Sequence, residues 1–434
     1  MLDKDEKIQY TIYYNKNEDD FQVHSTFFPF CTKKEYLYGL VLIFSYERSV
    51  GYMNIAGVVA EFNPFHKGHA YLLSEVRRRG ATHIAVVMSG AAVQRGEPAV
   101  CSKHERAKFA LSCGADMVVE LPAPYSCSAA PWFADSAIQI LTRLNIDTLA
   151  FGSEIADARL LKDCADALYE LQNSHTVKEL VSQGNSYPAA LKSAAEDSFG
   201  SDIAKVVSSP NSTLAAEYIC ALNRYSSRAE IMPITRIGAG HDCSPIDEYA
   251  SGSYLRRLMV DGGNFKDYIP DGCLPGRICD IAQAEQLLYY KLLTASREEL
   301  MELPEMNENI SERIIGAAKS PPESYSDFLL EVKSKNFTLA RLRRSALALT
   351  LRIKKSDFVT VPYVRVLAFN KKGAEILKAA KDTMDVPCGT SLKSLENSSP
   401  EAKRISDIEN RAVRLMQMCG TGFENEYTRK IQMT

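Results

Sequence analysis

The sequence predicts an α/β fold: a parallel sheet with helices on both faces, followed by a mostly α-helical C-terminal domain. Three observations carry this reading. Continuous apolar runs alternate with amphipathic stretches from residue 53 onward. Past about residue 270 only helical patterning continues. The chain has 434 residues, more than one core usually supports.

Residues 1–52 stand apart. Lys, Asp, Glu, Asn and Tyr dominate the first twenty, and no helical or strand period persists. The apolar run from Tyr36 to Tyr46 has about half the residues of a membrane-spanning helix, and no A-x-A cleavage pattern follows it. We read 1–52 as an atypical, dispensable extension and Met53 as the natural start.

The expected strands are 55–60, His83 to Met88, Asp116 to Leu121, Asp147 to Phe151 and Glu230 to Ile234. Each is apolar throughout, as suits a strand covered on both faces. Helical stretches fall between them at about 69–79, 103–113, 129–143, 157–171 and 211–224. Pro270, Gly272, Pro275 and Gly276 punctuate the change to a second unit, 271–434, with helices at 279–295, 308–319 and 324–335.

Composition excludes several classes. Net charge is -3, so no global positive field draws the chain to nucleic acid, and a basic face would have to be local. The eleven cysteines are scattered without a C-x-x-C pair, which reads as reduced thiols rather than a metal site. A cytoplasmic protein without a membrane or stable protein partner is expected.

The segment Val59-Ala60-Glu61-Phe62-Asn63-Pro64-Phe65-His66-Lys67-Gly68-His69-Ala70-Tyr71-Leu72 leaves the first strand and opens the first helix, where open α/β sheets bind ligands. Gly68 permits close backbone approach, the helix start offers N–H donors to an anion, and His66 and His69 can stabilise charge on a phosphate under attack. A strand-loop-helix carrying H-x-G-H resembles the nucleotidyltransferase superfamily, which makes the expected domain Rossmann-like. A second hallmark of that superfamily is similar to Ala250-Ser251-Gly252-Ser253-Tyr254-Leu255-Arg256. There Ser251, Ser253 and Arg256 are expected at the outer phosphates, with helix capping as the bland alternative for a Ser in that position.

Further stretches resemble one family, the bacterial tRNA(Met) cytidine acetate ligases. They are Val87-Met88-Ser89-Gly90, Gln94 to Ala99, Ser102-Lys103, Val119 to Pro122, Phe151 to Glu154, Ser186-Tyr187-Pro188, Ser209 to Ser212 and Arg236-Ile237, in order over 53 to about 375. The resemblance implies ATP-dependent activation of acetate as acetyl-adenylate. The acetyl group then passes to N4 of the wobble cytidine of elongator tRNA(Met). It implies ATP contacts from Val59 to Leu72, Gly152, Asn211 and Arg236, with Mg²⁺ held largely by substrate oxygens. Domain 53–270 would then be the ATP-binding catalytic unit and 271–434 the tRNA-binding one. Lys67, at the variable position of the motif, is expected to point away from the phosphates. One departure is Ala91-Ala92, where members usually carry a polar or aromatic pair; here the mouth of the site is expected to lose those side chains.

Between Val332 and Lys372 eleven basic residues face a single acid, Asp357. Arg341, Arg343, Arg344, Lys371 and Lys372 are the expected tRNA contacts, with Tyr363 as a stacking platform for an anticodon base. The competing readings are a small-metabolite adenylyltransferase, which would need no basic helical half, and a non-catalytic nucleotide-binding regulatory module, favoured only by Ala91-Ala92. A class I tRNA synthetase is disfavoured, since no K-M-S-K-S-like loop is found.

Overall fold

The structure is a computed structural model that describes residues 11–15, 20–24, 53–172, 174–238, 245–420, 422–423 and 425–427. The run from Tyr36 to Tyr46, and with it the reading of most of 1–52, lies outside the described residues. The chain forms two compact units, Met1–Met53 and Asn54–Thr434. In the first, β1 (Thr11–Asn15) pairs antiparallel with β2 (Asp20–His24). Each strand has five residues, and Asp20–His24 alternates polar and apolar side chains in sequence, a strand signal within 1–52 that the absence of any longer period hides.

The second unit is built on a seven-stranded sheet. Its elements begin with β3 (Ile55–Ala60), α1 (Lys67–Arg78), β4 (His83–Ser89), a short hairpin β5 (Ala92–Val93) and β6 (Glu97–Pro98), α2 (Lys103–Ser112) and β7 (Met117–Leu121). Then come α3 (Ala130–Arg143), β8 (Thr148–Ser153), α4 (Ala158–Leu171), α5 (His175–Ser182), α6 (Tyr187–Phe199), α7 (Ser201–Ser208), α8 (Pro210–Arg224), β9 (Glu230–Thr235) and α9 (Gly252–Val260). All five expected strands and the helices between them form, with ends shifted by one or two residues. The segment between α4 and α8, for which no element was expected, holds three helices. Two of these have eight residues each, short of the span over which a 3.6-residue period stands out.

The C-terminal region is mostly helical: α10 (Ala282–Thr294), α11 (Arg297–Glu302), α12 (Glu308–Ala318), α13 (Tyr325–Val332) and α14 (Leu339–Leu351). It then returns to the sheet. β10 (Val364–Phe369) runs antiparallel to β7, α15 (Lys371–Ala379) follows, and β11 (Cys388–Gly389) pairs parallel with β10. α16 (Leu392–Leu395) and α17 (Pro400–Met418) complete the fold. The boundary placed near 270 therefore marks a change in composition, while the sheet itself spans both sides of it. Arg365, the second residue of β10, interrupts an apolar run that would otherwise read as a buried strand.

Strand order is β11-β10-β7-β4-β3-β8-β9. Within the parallel part the chain starts at β3, winds outward through β4 to β7, then returns to β3's other side for β8 and β9. Winding direction reverses between β3 and β8. A crevice opens at that switch point beyond the carboxyl ends of the strands.

A buried ionic cluster ties the last helix to this edge. Lys103 pairs with Glu120, with Glu409 of α17 at 2.9 Å and with Glu426 at 3.1 Å, and Arg365 pairs with Glu120 at 3.2 Å and with Glu426. Burial opposes ionisation of Glu409. Lys103 and the backbone N–H of Ala123 outweigh it and hold the carboxyl below its ordinary value. Its two oxygens accept the N–H groups of Ala91 and Ala123, each at 2.8 Å. Lys103→Met would leave three buried carboxylates with Arg365 alone and is expected to cost about 3–5 kcal/mol of stability in urea unfolding at pH 7. With the cation gone the folded-state carboxyl pKa values rise above their unfolded ones, so the penalty should shrink as pH falls toward 5. An equal loss at both pH values would contradict the account.

Candidate active site

The loop after β3 is fixed by its own aromatic residues and by guanidinium groups behind it. Phe62, at φ 49° and fully buried, packs edge-on against Phe65 with ring centroids 4.8 Å apart, and against His69 at 4.8 Å. Asn63 Oδ1 accepts the N–H of Val100 at 2.7 Å, and Arg256 Nη1 donates to the Asn63 carbonyl at 2.6 Å. Arg106, fully buried, donates to the carbonyls of Glu61 at 2.6 Å, Ser89 at 3.0 Å, Cys101 at 3.2 Å and Gly90.

His66 caps α1. Its Nδ1 accepts the N–H of Gly68 at 3.1 Å, and His69 Nδ1 accepts the N–H of His66 at 3.3 Å. The rings stack at 3.8 Å with 25° between planes. Because both Nδ1 lone pairs are taken by backbone donors, the ring protons sit on the Nε2 atoms, and each imidazole is a donor there. Burial lowers the His66 pKa to about 3, aided by the charges of Arg236 and Arg256. His69 is held well below its ordinary value by burial, His66 and Arg236. A Cβ on Gly68 would meet the His66 ring at 3.0 Å, so the glycine keeps that ring in place as well as exposing the backbone.

Both histidines open onto a cavity of about 930 Å³ at the switch point. Val59, Ala60, Glu61, Gly68, Tyr71 and Leu72 of the motif line it, with Gly152, Asn211 and Arg236. Burial raises the Glu61 carboxyl, which accepts the Gln94 N–H at 2.7 Å. Asn211 donates to Glu154, whose other oxygen accepts the N–H of Ser212 at 2.9 Å and its hydroxyl at 3.0 Å. The paired stretches Phe151 to Glu154 and Ser209 to Ser212 are thus one corner of the site.

Other expected residues lie elsewhere. Phe62, Asn63, Pro64 and Phe65 are buried behind the cavity as scaffold. Ala70 lies on α1 outside the lining. Lys67 turns to Glu248, 2.6 Å away. Ser251 Oγ caps α9 by accepting the Tyr254 N–H at 3.2 Å, and Arg256 holds Ser253 Oγ at 3.3 Å as well as Asn63. Arg256 thereby braces the motif loop, and none of the three lines the cavity. Ala91 and Ala92 do not form the mouth: both are buried, behind the Glu409 bond.

The basic segment divides. Arg341, Arg343 and Arg344 line the same cavity as the histidines. A Cβ at Gly96, whose φ is 81°, would lie 2.4 Å from Arg344 N, so only glycine lets the β5–β6 turn seat on α14. Arg344 pairs with both carboxylate oxygens of Glu305 at 2.6 and 2.7 Å, and Arg341 donates to the Glu305 carbonyl at 2.9 Å. Among the described residues Arg343, like Arg236, lines the cavity and makes no ion pair. Lys371 and Lys372 lie at the opposite edge of the sheet, where Lys372 Nζ donates to Thr82 O at 3.0 Å beside the start of β4. Tyr363 is buried and offers no stacking face.

Several lining residues had no assigned role. Tyr187, Pro188, Leu191, Leu214, Glu217 and Tyr218 form a wall from α6 and α8. Burial pushes Glu217 up to about 7, against a 2.7 Å bond from Gln172. Ser186-Tyr187-Pro188 was a signal for this wall, but without the intervening helices its position could not be assigned.

A doubly wound sheet with a histidine pair on a capped helix start at its switch point defines a nucleotidyl transferase of the HIGH type. The sequence profile of the family described as HIGH Nucleotidyl Transferase matches residues 53–430. The tRNA(Met) cytidine acetate ligase of Listeria monocytogenes is 34% identical over 354 residues, covering 78% of this chain and 90% of that protein. That of Acetivibrio thermocellus is 31% identical over 396 residues, covering 85% and 95%. The crystal structure of Thermotoga maritima TmcAL bound with alpha-thio ATP superposes with a TM-score of 0.76 at 26% identity, covering 86% of this chain and 96% of that one. The chain belongs to the tRNA(Met) cytidine acetate ligase family.

The depressed His66 pKa carries a stability consequence. Its unfolded form takes a proton near 6.5 and its folded form only near 3, so stability falls as pH falls through this window, by up to about 1.4 kcal/mol per unit. His66→Asn keeps a capping acceptor and removes the titration. Its urea midpoint, compared with the parent's, should gain ground between pH 7 and pH 5. A constant difference would mean that His66 titrates normally in the folded chain.

Proposed function

We propose that the cleft activates acetate with ATP and transfers the acetyl group to N4 of the wobble cytidine of elongator tRNA(Met). The observation that carries this is one cavity with the neutral histidine pair on one wall and the arginines of α14 on another. In the first step an acetate oxygen attacks the α-phosphorus, the bond to the bridging oxygen breaks, and diphosphate leaves. In the second the cytidine amine attacks the acetyl carbonyl, loses a proton, and AMP departs.

His66 and His69 suit the first step as donors from Nε2 to the α-phosphate oxygens. Histidines held below their ordinary pKa are poor proton acceptors but sound donors to developing charge. Gly152, flush with the end of β8, leaves room for the nucleotide, and Arg236 adds a positive charge beside both rings. Asn211 and the motif residues Val59 to Leu72 complete the proposed ATP site, either on the cavity wall or as its support. Mg²⁺ arriving with ATP would be held mainly by phosphate oxygens. Among the described residues no group of three His, Cys, Asp or Glu side chains offers a cage. Among the described residues no helix is long and apolar enough to cross a membrane, and we place the reaction in the cytoplasm with its RNA substrate.

A small-metabolite acceptor would leave Arg343 and the adjoining wall of α14 without purpose. Incubation with ATP, labelled acetate and tRNA should place label on RNA as N4-acetylcytidine, with AMP and diphosphate released. Label on no RNA, with diphosphate still formed, would point to the smaller acceptor. Filter binding of tRNA across salt concentrations should give a steep slope that Arg343→Glu reduces by about one charge. A flat slope in the parent would defeat the RNA reading.

A further inference from the structure

A second, smaller cavity of about 170 Å³ adjoins the cleft. Trp132 and Phe358 wall it, with ring centroids 5.1 Å apart and planes tilted by 57°. Trp132, the sole tryptophan of the chain, leaves 46% of its surface exposed although it stands in the first turn of α3 against the core. Leaving so large an aromatic half open costs hydrophobic stabilisation that a fully packed position would provide.

The two cavities share Ala129, Glu305 and Arg344, so the ion pair of Arg344 with Glu305 is the partition between them. That pair is neutral as a unit. Lys355, exposed on the rim, gives the small cavity a net positive edge. α3 starts at Ala129 without a side-chain cap, and Ala129 and Ala130 also line the main cleft. First-turn N–H groups between the cavities are thus suited to a phosphate that bridges them. A volume below the usual range for whole ligands fits one planar ring rather than a nucleotide chain.

We propose that this cavity is a base-stacking subsite: when the wobble cytidine enters the main cleft, a neighbouring anticodon-loop base stacks on Trp132, with Lys355 beside the backbone phosphate. The inference rests on the tRNA reading above. Single-stranded bases splayed out of a loop are the form in which proteins read RNA, and a stack on an aromatic ring is sequence-tolerant.

Because Trp132 is the chain's one tryptophan, its fluorescence reports the subsite directly in the full-length protein. An anticodon stem-loop carrying the wobble cytidine should quench it saturably. Trp132→Ala should raise the KM for tRNA about 5- to 150-fold, the range of one lost stack, with little change in the KM for ATP. Trp132→Phe, which keeps an aromatic face, should recover most of the loss and shows that the Ala effect is not misfolding. A protein that acetylates tRNA but shows no quench, or whose Trp132→Ala form keeps the parent KM for tRNA, would overturn the subsite and leave the acetylation reading standing. Absence of N4-acetylcytidine with the unaltered protein would overturn both.

Discussion

The buried guanidinium of Arg106 is the constraint on which the site depends. It reaches four carbonyls, at Glu61, Ser89, Gly90 and Cys101, which belong to the loops that leave β3 and β4 and the approach to α2. Loops at the carboxyl edge of a parallel sheet have no ladder to hold their carbonyls, and buried carbonyls without donors are costly. One planar fork supplies donors to all of them at once, which a lysine could not do. No carboxylate sits among these acceptors, and burial lowers the Arg106 pKa accordingly. Its hydrogen bonds go to backbone dipoles, with Glu61, Glu409 and Glu120 acting on the charge from farther off, so its position depends on all three segments being in place, and theirs depends on it.

Glu409 does the reciprocal task from the far end of the chain. Where Arg106 collects orphan carbonyls, Glu409 collects the orphan N–H groups of Ala91 and Ala123. A Cβ at Gly90 would lie 2.6 Å from the Glu409 carboxylate, so glycine just past the end of β4 leaves that carboxylate its place. The alanine pair after it follows from the same packing: it faces the last helix, where larger side chains would have to displace buried charge. What looked in the sequence like a stripped active-site rim is the seat of the C-terminal helix.

This explains why parts of the molecule were legible in sequence and others were not. Strands β3, β4, β7, β8 and β9 are short apolar runs buried on both faces, and the motif at the first of them has its geometry written in consecutive residues. His66, Gly68 and His69 meet through backbone bonds no more than three residues long. β10 was missed because Arg365, which reads as a surface charge, is neutralised by Glu120 and Glu426 from distant segments. The basic run of 333–372 misled for the same reason. Arg344 and Arg365 carry charge that their local sequence leaves open but that Glu305, Glu120 and Glu426 meet in space, and Arg341 is tied to the Glu305 carbonyl. Of the three α14 arginines on the cleft, Arg344 alone forms an ion pair among the described residues, while Arg341 bonds the Glu305 carbonyl and Arg343 has neither, distinctions that no count of charges could draw.

The return of the chain to the sheet matters for the two half-reactions proposed for the cleft. If the region after residue 270 were a separate helical body, α14 would face the motif loop across a mobile boundary. Instead β10 is hydrogen-bonded to β7, α17 packs against α10 and α14, and the β5–β6 turn sits on the backbone of α14 with no room for a Cβ at Gly96. The wall carrying Arg343 is therefore held in register with the wall carrying His66 and His69. An acyl phosphate anhydride is reactive toward water, and a fixed acceptor wall shortens its lifetime by placing the amine near the carbonyl before the intermediate forms. Rigid opposition of the two walls, rather than closure of one domain on another, is the arrangement that this connectivity favours.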